Sequence, residues 1–105
     1  MPAVRRAIVL AIATLMLVPV AAHAAPVTLA TVGDFASPVY VTAPLGDTAR
    51  VFVVEKGGTI QVLHGAGRGT FLDITSKVNS TDNERGLLSM AFALDYSTSG
   101  LFYVY

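Results

Sequence analysis

The stretch Glu84-Arg85-Gly86-Leu87-Leu88-Ser89-Met90-Ala91-Phe92-Ala93-Leu94-Asp95-Tyr96-Ser97-Thr98-Ser99-Gly100-Leu101-Phe102-Tyr103-Val104-Tyr105 decides the fold class. From Leu87 to Leu94 every position but Ser89 is apolar, the pattern of a strand covered on both faces. Asp95 to Gly100 is turn chemistry, because Asp, Ser and Gly each satisfy or bend the backbone locally. Leu101 to Tyr105 is aromatic and branched, as a second strand requires. Ending on Phe-Tyr-Val-Tyr would leave a sticky, unpaired strand edge, so the sequence reads as a fragment.

Outward from this stretch the same chemistry repeats. Val27 to Val32 is expected as a first strand, followed by a turn at Gly33-Asp34. Val39 to Thr42 starts a strand just after Pro38, where a missing N–H is tolerated. Pro44 to Thr48 is a loop, and Arg50 to Lys56 carries the core run Val-Phe-Val-Val. Gly57-Gly58 then predicts a hairpin into Thr59 to Leu63, because glycine takes positive φ without steric cost. A flexible loop is expected from His64 to Gly69, a fourth strand from Phe71 to Ile74, and a polar connection from Ser76 to Arg85. No stretch beyond residue 24 shows a capped 3.6-residue period, so the fold class is all-β.

An internal repeat reinforces this reading. Val51-Phe52-Val53-Val54 overlays Leu101-Phe102-Tyr103-Val104 at an offset of 50 residues, and Val39 to Thr42 then falls on Ser89 to Phe92. A period of about 40–50 residues with four short strands per unit is that of a β-propeller blade. On this period the chain holds about one and a half blades.

The beginning of the chain has a different purpose. Arg5-Arg6, an uncharged apolar run from Ala7 to Val20, and Ala22-His23-Ala24 are laid out as a secretory signal peptide cleaved near Ala24. The run is shorter than the ~20 apolar residues of a spanning helix, so no stable membrane span is expected. Residues 1–24 are therefore the leader and 25–105 the folded body, periplasmic or secreted. That body carries five basic and seven acidic residues, which offers no electrostatic footprint for nucleic acid. It has no cysteine, so burial alone must hold an exported chain together.

Phe35-Ala36-Ser37-Pro38-Val39, Gly46-Asp47, Val51-Phe52-Val53-Val54-Glu55, Gly58-Thr59-Ile60, Phe71-Leu72-Asp73-Ile74 and Glu84-Arg85-Gly86-Leu87-Leu88 occur in that order. Together with Ala91-Phe92, Asp95-Tyr96, Gly100 and Phe102-Tyr103-Val104-Tyr105, they resemble the N-terminal part of the soluble glucose/sorbosone dehydrogenase family. The resemblance spans Asp34 to Tyr105 and implies a six-bladed β-propeller in the full-length parent. It also implies pyrroloquinoline quinone (PQQ) and calcium as cofactors, with most of their ligands on other parts of that parent. The implied activity is oxidation of an aldose at C1, with hydride passing to PQQ and then to an electron acceptor. The fragment alone is expected to be inactive. Two positions depart from the family: Ser89 stands where glycine is usual, and Ala93-Leu94 where His-Pro is usual. The second departure removes a family histidine and keeps open an alternative, a non-catalytic propeller that binds without oxidising.

Among individual residues, the resemblance singles out Glu84 as a substrate- or cofactor-binding group, since a polar side chain at the matching position lies near sugar and quinone. The other reading of Glu84 is a solvated loop carboxylate. Arg85 suits a surface ion pair with Asp82 or Glu84, and Gly86 a backbone requirement at the start of a strand. His64 beside Gly65 reads as loop decoration, with no acidic orienter near it in sequence. Gly65-Ala66-Gly67-Arg68-Gly69 lacks the helix that a phosphate cradle needs. Asp82-Asn83-Glu84 lacks the remaining spacing of an EF-hand loop. No catalytic set and no metal set can be assembled from these residues.

Overall fold

A computed structural model describes residues 24–105. The expected leader, residues 1–24, lies outside the described residues except for its last position. The described chain is mostly antiparallel β-structure with little helix. β1 (Pro38–Thr42), β2 (Arg50–Glu55), β3 (Thr59–His64) and β4 (Gly67–Asp73) form a four-stranded meander in sequence order. β5 (Met90–Phe92) and β6 (Phe102–Val104) form a separate two-stranded sheet, joined through the single-turn helix α1 (Tyr96–Ser99). Among the described residues no helix is long and apolar enough to cross a membrane.

The turns follow from their glycines. Lys56-Gly57-Gly58 closes the β2–β3 hairpin, with the Gly58 N–H donated to the Glu55 carbonyl at 3.0 Å. Gly58 has φ 112°, and a Cβ there would stand 2.9 Å from Thr75 Cα, so conformation and space both demand glycine. The loop expected from His64 to Gly69 is instead a tight Gly65-Ala66 turn, and β4 already begins at Gly67. Gly65 takes φ 58°, which lets the ladder continue through His64↔Gly67 and Leu63↔Arg68.

Alternation along β2 sends Phe52 and Val54 to one face, where they join Ile60, Leu87 and Met90 in the buried core. Phe71, Phe92 and Phe102 pack around them. The Phe52 ring meets Phe71 and Phe92 edge-on, at 4.9 and 4.8 Å between centroids. These contacts join the meander to the β5–β6 hairpin.

The 50-residue repeat exists in the pairing as well as in the sequence. β1 and β2 pair as Tyr40↔Val54, Val41↔Val53 and Thr42↔Phe52. β5 and β6 pair as Met90↔Val104, Ala91↔Tyr103 and Phe92↔Phe102. Each residue of the second set stands 50 positions after its counterpart in the first. A one-residue slip would have turned every side chain to the other face, so the shared register is a shared arrangement of the two hairpins.

Two expected strands differ. Residues 27–31 carry no regular structure and Val32 is likewise outside any strand. The strand expected from Leu87 to Leu94 is reduced to Met90–Phe92. Leu87 N–H turns away to the Lys56 carbonyl at 2.9 Å, while Ser89 and Tyr105 exchange N–H···O bonds at 3.1 and 3.0 Å that carry the β5–β6 pairing just beyond the strand. Its last residues are drawn into the turn before α1, where Tyr96 N–H bonds the Ala93 carbonyl at 3.0 Å.

Candidate functional site

Glu84 sits in the connection between the meander and β5, at the end of the strands marked by the β2–β3 turn. Local hydrogen bonds shape this connection. Asp82 Oδ1 accepts the N–H of Glu84 at 3.0 Å and that of Arg85 at 2.9 Å, which folds the chain back on the aspartate. Arg85 Nε pairs with Asp82 Oδ2 at 3.1 Å on the surface. Lys56 Nζ donates to the Asp82 carbonyl and ties the loop to the β2–β3 turn. The Glu84 carboxylate is exposed along a shallow depression shared with Asp82, Asn83 and Arg85. No hydrogen bond engages it among the described residues, so its oxygens are open acceptors.

Gly86 fixes where this loop meets the sheet. It takes φ 148°, and a Cβ there would lie 2.6 Å from the Lys56 carbonyl oxygen. That same oxygen accepts the Leu87 N–H, so the loop and the turn touch backbone to backbone. The glycine serves this approach.

The remaining sequence candidates are not gathered around Glu84. His64 ends β3 at the far end of the sheet, exposed, opposite Gly67. Gly67 and Gly69 are ladder residues of β4 rather than parts of a cradle. Among the described residues no three His, Cys, Asp or Glu side chains converge so as to hold a metal ion.

The most constrained titratable group is Glu55, which in sequence is merely the last residue of a core strand. Glu55 ends β2 with 4% of its surface exposed. Its Oε1 accepts the N–H of Ala36 at 2.8 Å, and its Oε2 accepts Thr59 Oγ1–H and, at 3.2 Å, Gln61 Nε2–H. Arg68 Nη2 stands 3.6 Å from Oε1. Burial opposes the charge, but the hydrogen bonds from Thr59, Ala36 and Gln61, aided by Arg68, outweigh it and hold the carboxyl below its ordinary range. The signal was present in the alternation. Glu55 pairs with Thr59, and Gln61 pairs with Val53, so three polar side chains share one face of the hairpin. Arg68 also lies over the Phe35 ring, 4.4 Å from its centroid, so the pair clamps the segment leading into β1. This arrangement serves the fold, since each of its polar side chains is bonded to another part of the chain.

Comparison of the chain with protein-family models, with curated proteins and with solved structures finds no match in any of the three.

Proposed function

We propose that the chain is the N-terminal part of an exported β-propeller similar to the PQQ-dependent glucose/sorbosone dehydrogenases. In this reading the meander is one blade and the β5–β6 hairpin begins the next. The observation that carries it is the repeated register, in which Tyr40↔Val54 to Thr42↔Phe52 recurs 50 residues later as Met90↔Val104 to Phe92↔Phe102. A repeat of this length, built on an antiparallel four-stranded meander, is the building unit of a propeller. The assignment to sugar oxidation rests on the sequence resemblance from Asp34 to Tyr105.

Within that reading Glu84 contributes binding and orientation. Its open carboxylate oxygens can accept hydrogen bonds from the hydroxyls of a polyhydroxy substrate, and the Asp82 turn and the Gly86–Lys56 contact fix the backbone that presents them. PQQ would supply the hydride acceptor when bound. Most of its contacts would belong to other segments of the parent.

The test uses the full-length parent, purified after export and reconstituted with PQQ and calcium. Aldose-dependent reduction of an artificial dye is the expected result. Binding of PQQ without dye reduction by any sugar would refute sugar oxidation. Failure to bind PQQ would favour the non-catalytic propeller, the reading to which the Ala93-Leu94 departure points.

A further inference from the structure

A second concavity opens at the opposite end of the strands from Glu84. It is an open cleft of about 550 Å³ between the loop joining β1 to β2 and helix α1, wide enough for a small metabolite. One wall carries Asp47 and Arg50 and the other carries Tyr96 and Ser97. Gly46 and Gly100 line it too, and a Cβ at either would meet nothing within 4 Å, so the space is open on both sides.

The charged pair in this cleft is unevenly engaged. Asp47 is fully used: Oδ1 accepts the N–H groups of Ala49 at 3.0 Å and Arg50 at 3.1 Å, and Oδ2 accepts Arg50 Nε–H at 2.6 Å. The bond from the Arg50 side chain and then that from Ala49 hold the Asp47 carboxyl below its ordinary range. Arg50 is oriented by this bond and by the Phe52 ring, whose centroid is 5.4 Å from its guanidinium carbon. Its two terminal amino groups have no acceptor among the described residues. An immobilised guanidinium with its outer N–H groups unspent is prepared for a planar two-oxygen acceptor. Across the cleft, Thr98 and Ser99 donate their hydroxyls to Asp95, whereas those of Tyr96 and Ser97 are not so engaged.

We propose that the cleft between the β1–β2 loop and α1 binds a small carboxylate-bearing ligand, its carboxylate on the Arg50 fork and its remaining polar atoms toward the hydroxyls of Tyr96 and Ser97. This site lies outside the proposed sugar-oxidation site and does not depend on it. The Asp47–Arg50 pair is neutral as a unit, so recognition comes from fork geometry more than from long-range attraction. The expected dissociation constant is on the order of 1 mM.

The test is a titration of the ¹⁵N-labelled protein with sodium acetate, sodium lactate and inorganic phosphate, with sodium chloride at matched ionic strength as control. Saturable shifts confined to Gly46, the Arg50 Nε–H and Ser97 to Gly100 are expected with the carboxylates. Lactate should bind more tightly than acetate, through its added hydroxyl. Arg50→Lys keeps the charge but removes the fork and should weaken binding by about fivefold or more. The amides of Phe52 and Val54 report in the same spectra that this variant remains folded. Equal binding by folded Arg50→Lys would overturn the proposal. So would reproduction of the shifts by chloride, shifts that never saturate, or tighter binding of tetrahedral phosphate than of either carboxylate.

Discussion

Glu55 accepts the backbone N–H of Ala36 across 19 residues of sequence, at 2.8 Å, and so fastens the segment leading into β1 to the end of β2. The bond is stronger to the charged form of this nearly buried carboxylate than to the protonated one. Because its partners hold that carboxyl below the ordinary glutamate value of 4.5, protonation is easier in the unfolded chain than in the folded one. The stabilisation is therefore fully present above about pH 4.5 and is lost as pH falls through the lower folded value. Urea midpoints measured from pH 7 to pH 3 should decline across that window. Glu55→Gln should flatten this part of the profile and cost about 1.5–3 kcal/mol at neutral pH, the worth of hydrogen bonds to a charged group. An unchanged slope in the variant would show that other carboxylates govern the acid response.

Gly86 and Lys56 set the second prediction. A methyl group at residue 86 would stand 2.6 Å from the Lys56 carbonyl oxygen, on a backbone at φ 148° that side chains rarely adopt. Gly86→Ala should cost at least about 1–3 kcal/mol and loosen the loop that carries Glu84. Hydrogen exchange of the Leu87 amide, which bonds the same carbonyl, is the local readout. Faster exchange at Leu87 with the β2–β3 amides still protected is the expected pattern.

The two hairpins are held by aromatic contact, and this is measurable. Phe52 lies in β2 and Phe92 in β5, with ring centroids 4.8 Å apart and planes at 66°. Phe52→Ala should cost about 3–5 kcal/mol, since the ring is fully buried. A double-mutant cycle between Phe52→Leu and Phe92→Leu should return a coupling of about 0.5–1.5 kcal/mol. Strict additivity would mean that the β5–β6 hairpin does not dock on the meander in solution.

Much of the fold was legible because β-structure writes itself into short-range chemistry. Val51 to Val54, Gly57-Gly58 and the alternation from Thr59 each announce their element, and the 50-residue offset lays the β5 and β6 segments over those of β1 and β2. Where the reading differed, longer-range bonds decided. Leu87 reads as strand, but its N–H is taken by Lys56, a partner 31 residues earlier. Gly67 and Gly69 read as loop, yet β3 supplies a ladder that a glycine can join. Val27 to Val32 has strand composition, but composition does not provide a neighbouring strand. The candidate site was less legible. Glu84 could be named by resemblance, whereas the role proposed for Arg50 depends on which of its nitrogens Asp47 already occupies, a matter of local folding that spacing does not reveal.

Glu84 supplies the last prediction, tested in the full-length parent. Its carboxylate is exposed and unbonded among the described residues, while Asp82 and the Gly86–Lys56 contact hold the backbone beneath it. If it orients substrate by accepting hydroxyl hydrogen bonds, Glu84→Gln retains one such acceptor and should preserve much of the activity. Glu84→Ala removes both acceptors and should lower kcat/KM about tenfold or more, or ~1.4 kcal/mol of transition-state stabilisation. The loss should be similar across the pH range, because an orienting group transfers no proton. The experiment compares pH profiles of kcat/KM for the parent and both variants, with PQQ saturation confirmed spectroscopically in each. Wild-type kinetics in Glu84→Ala would return this residue to the solvated surface. A change in the shape of the pH profile would instead implicate it in proton transfer, against the orienting role.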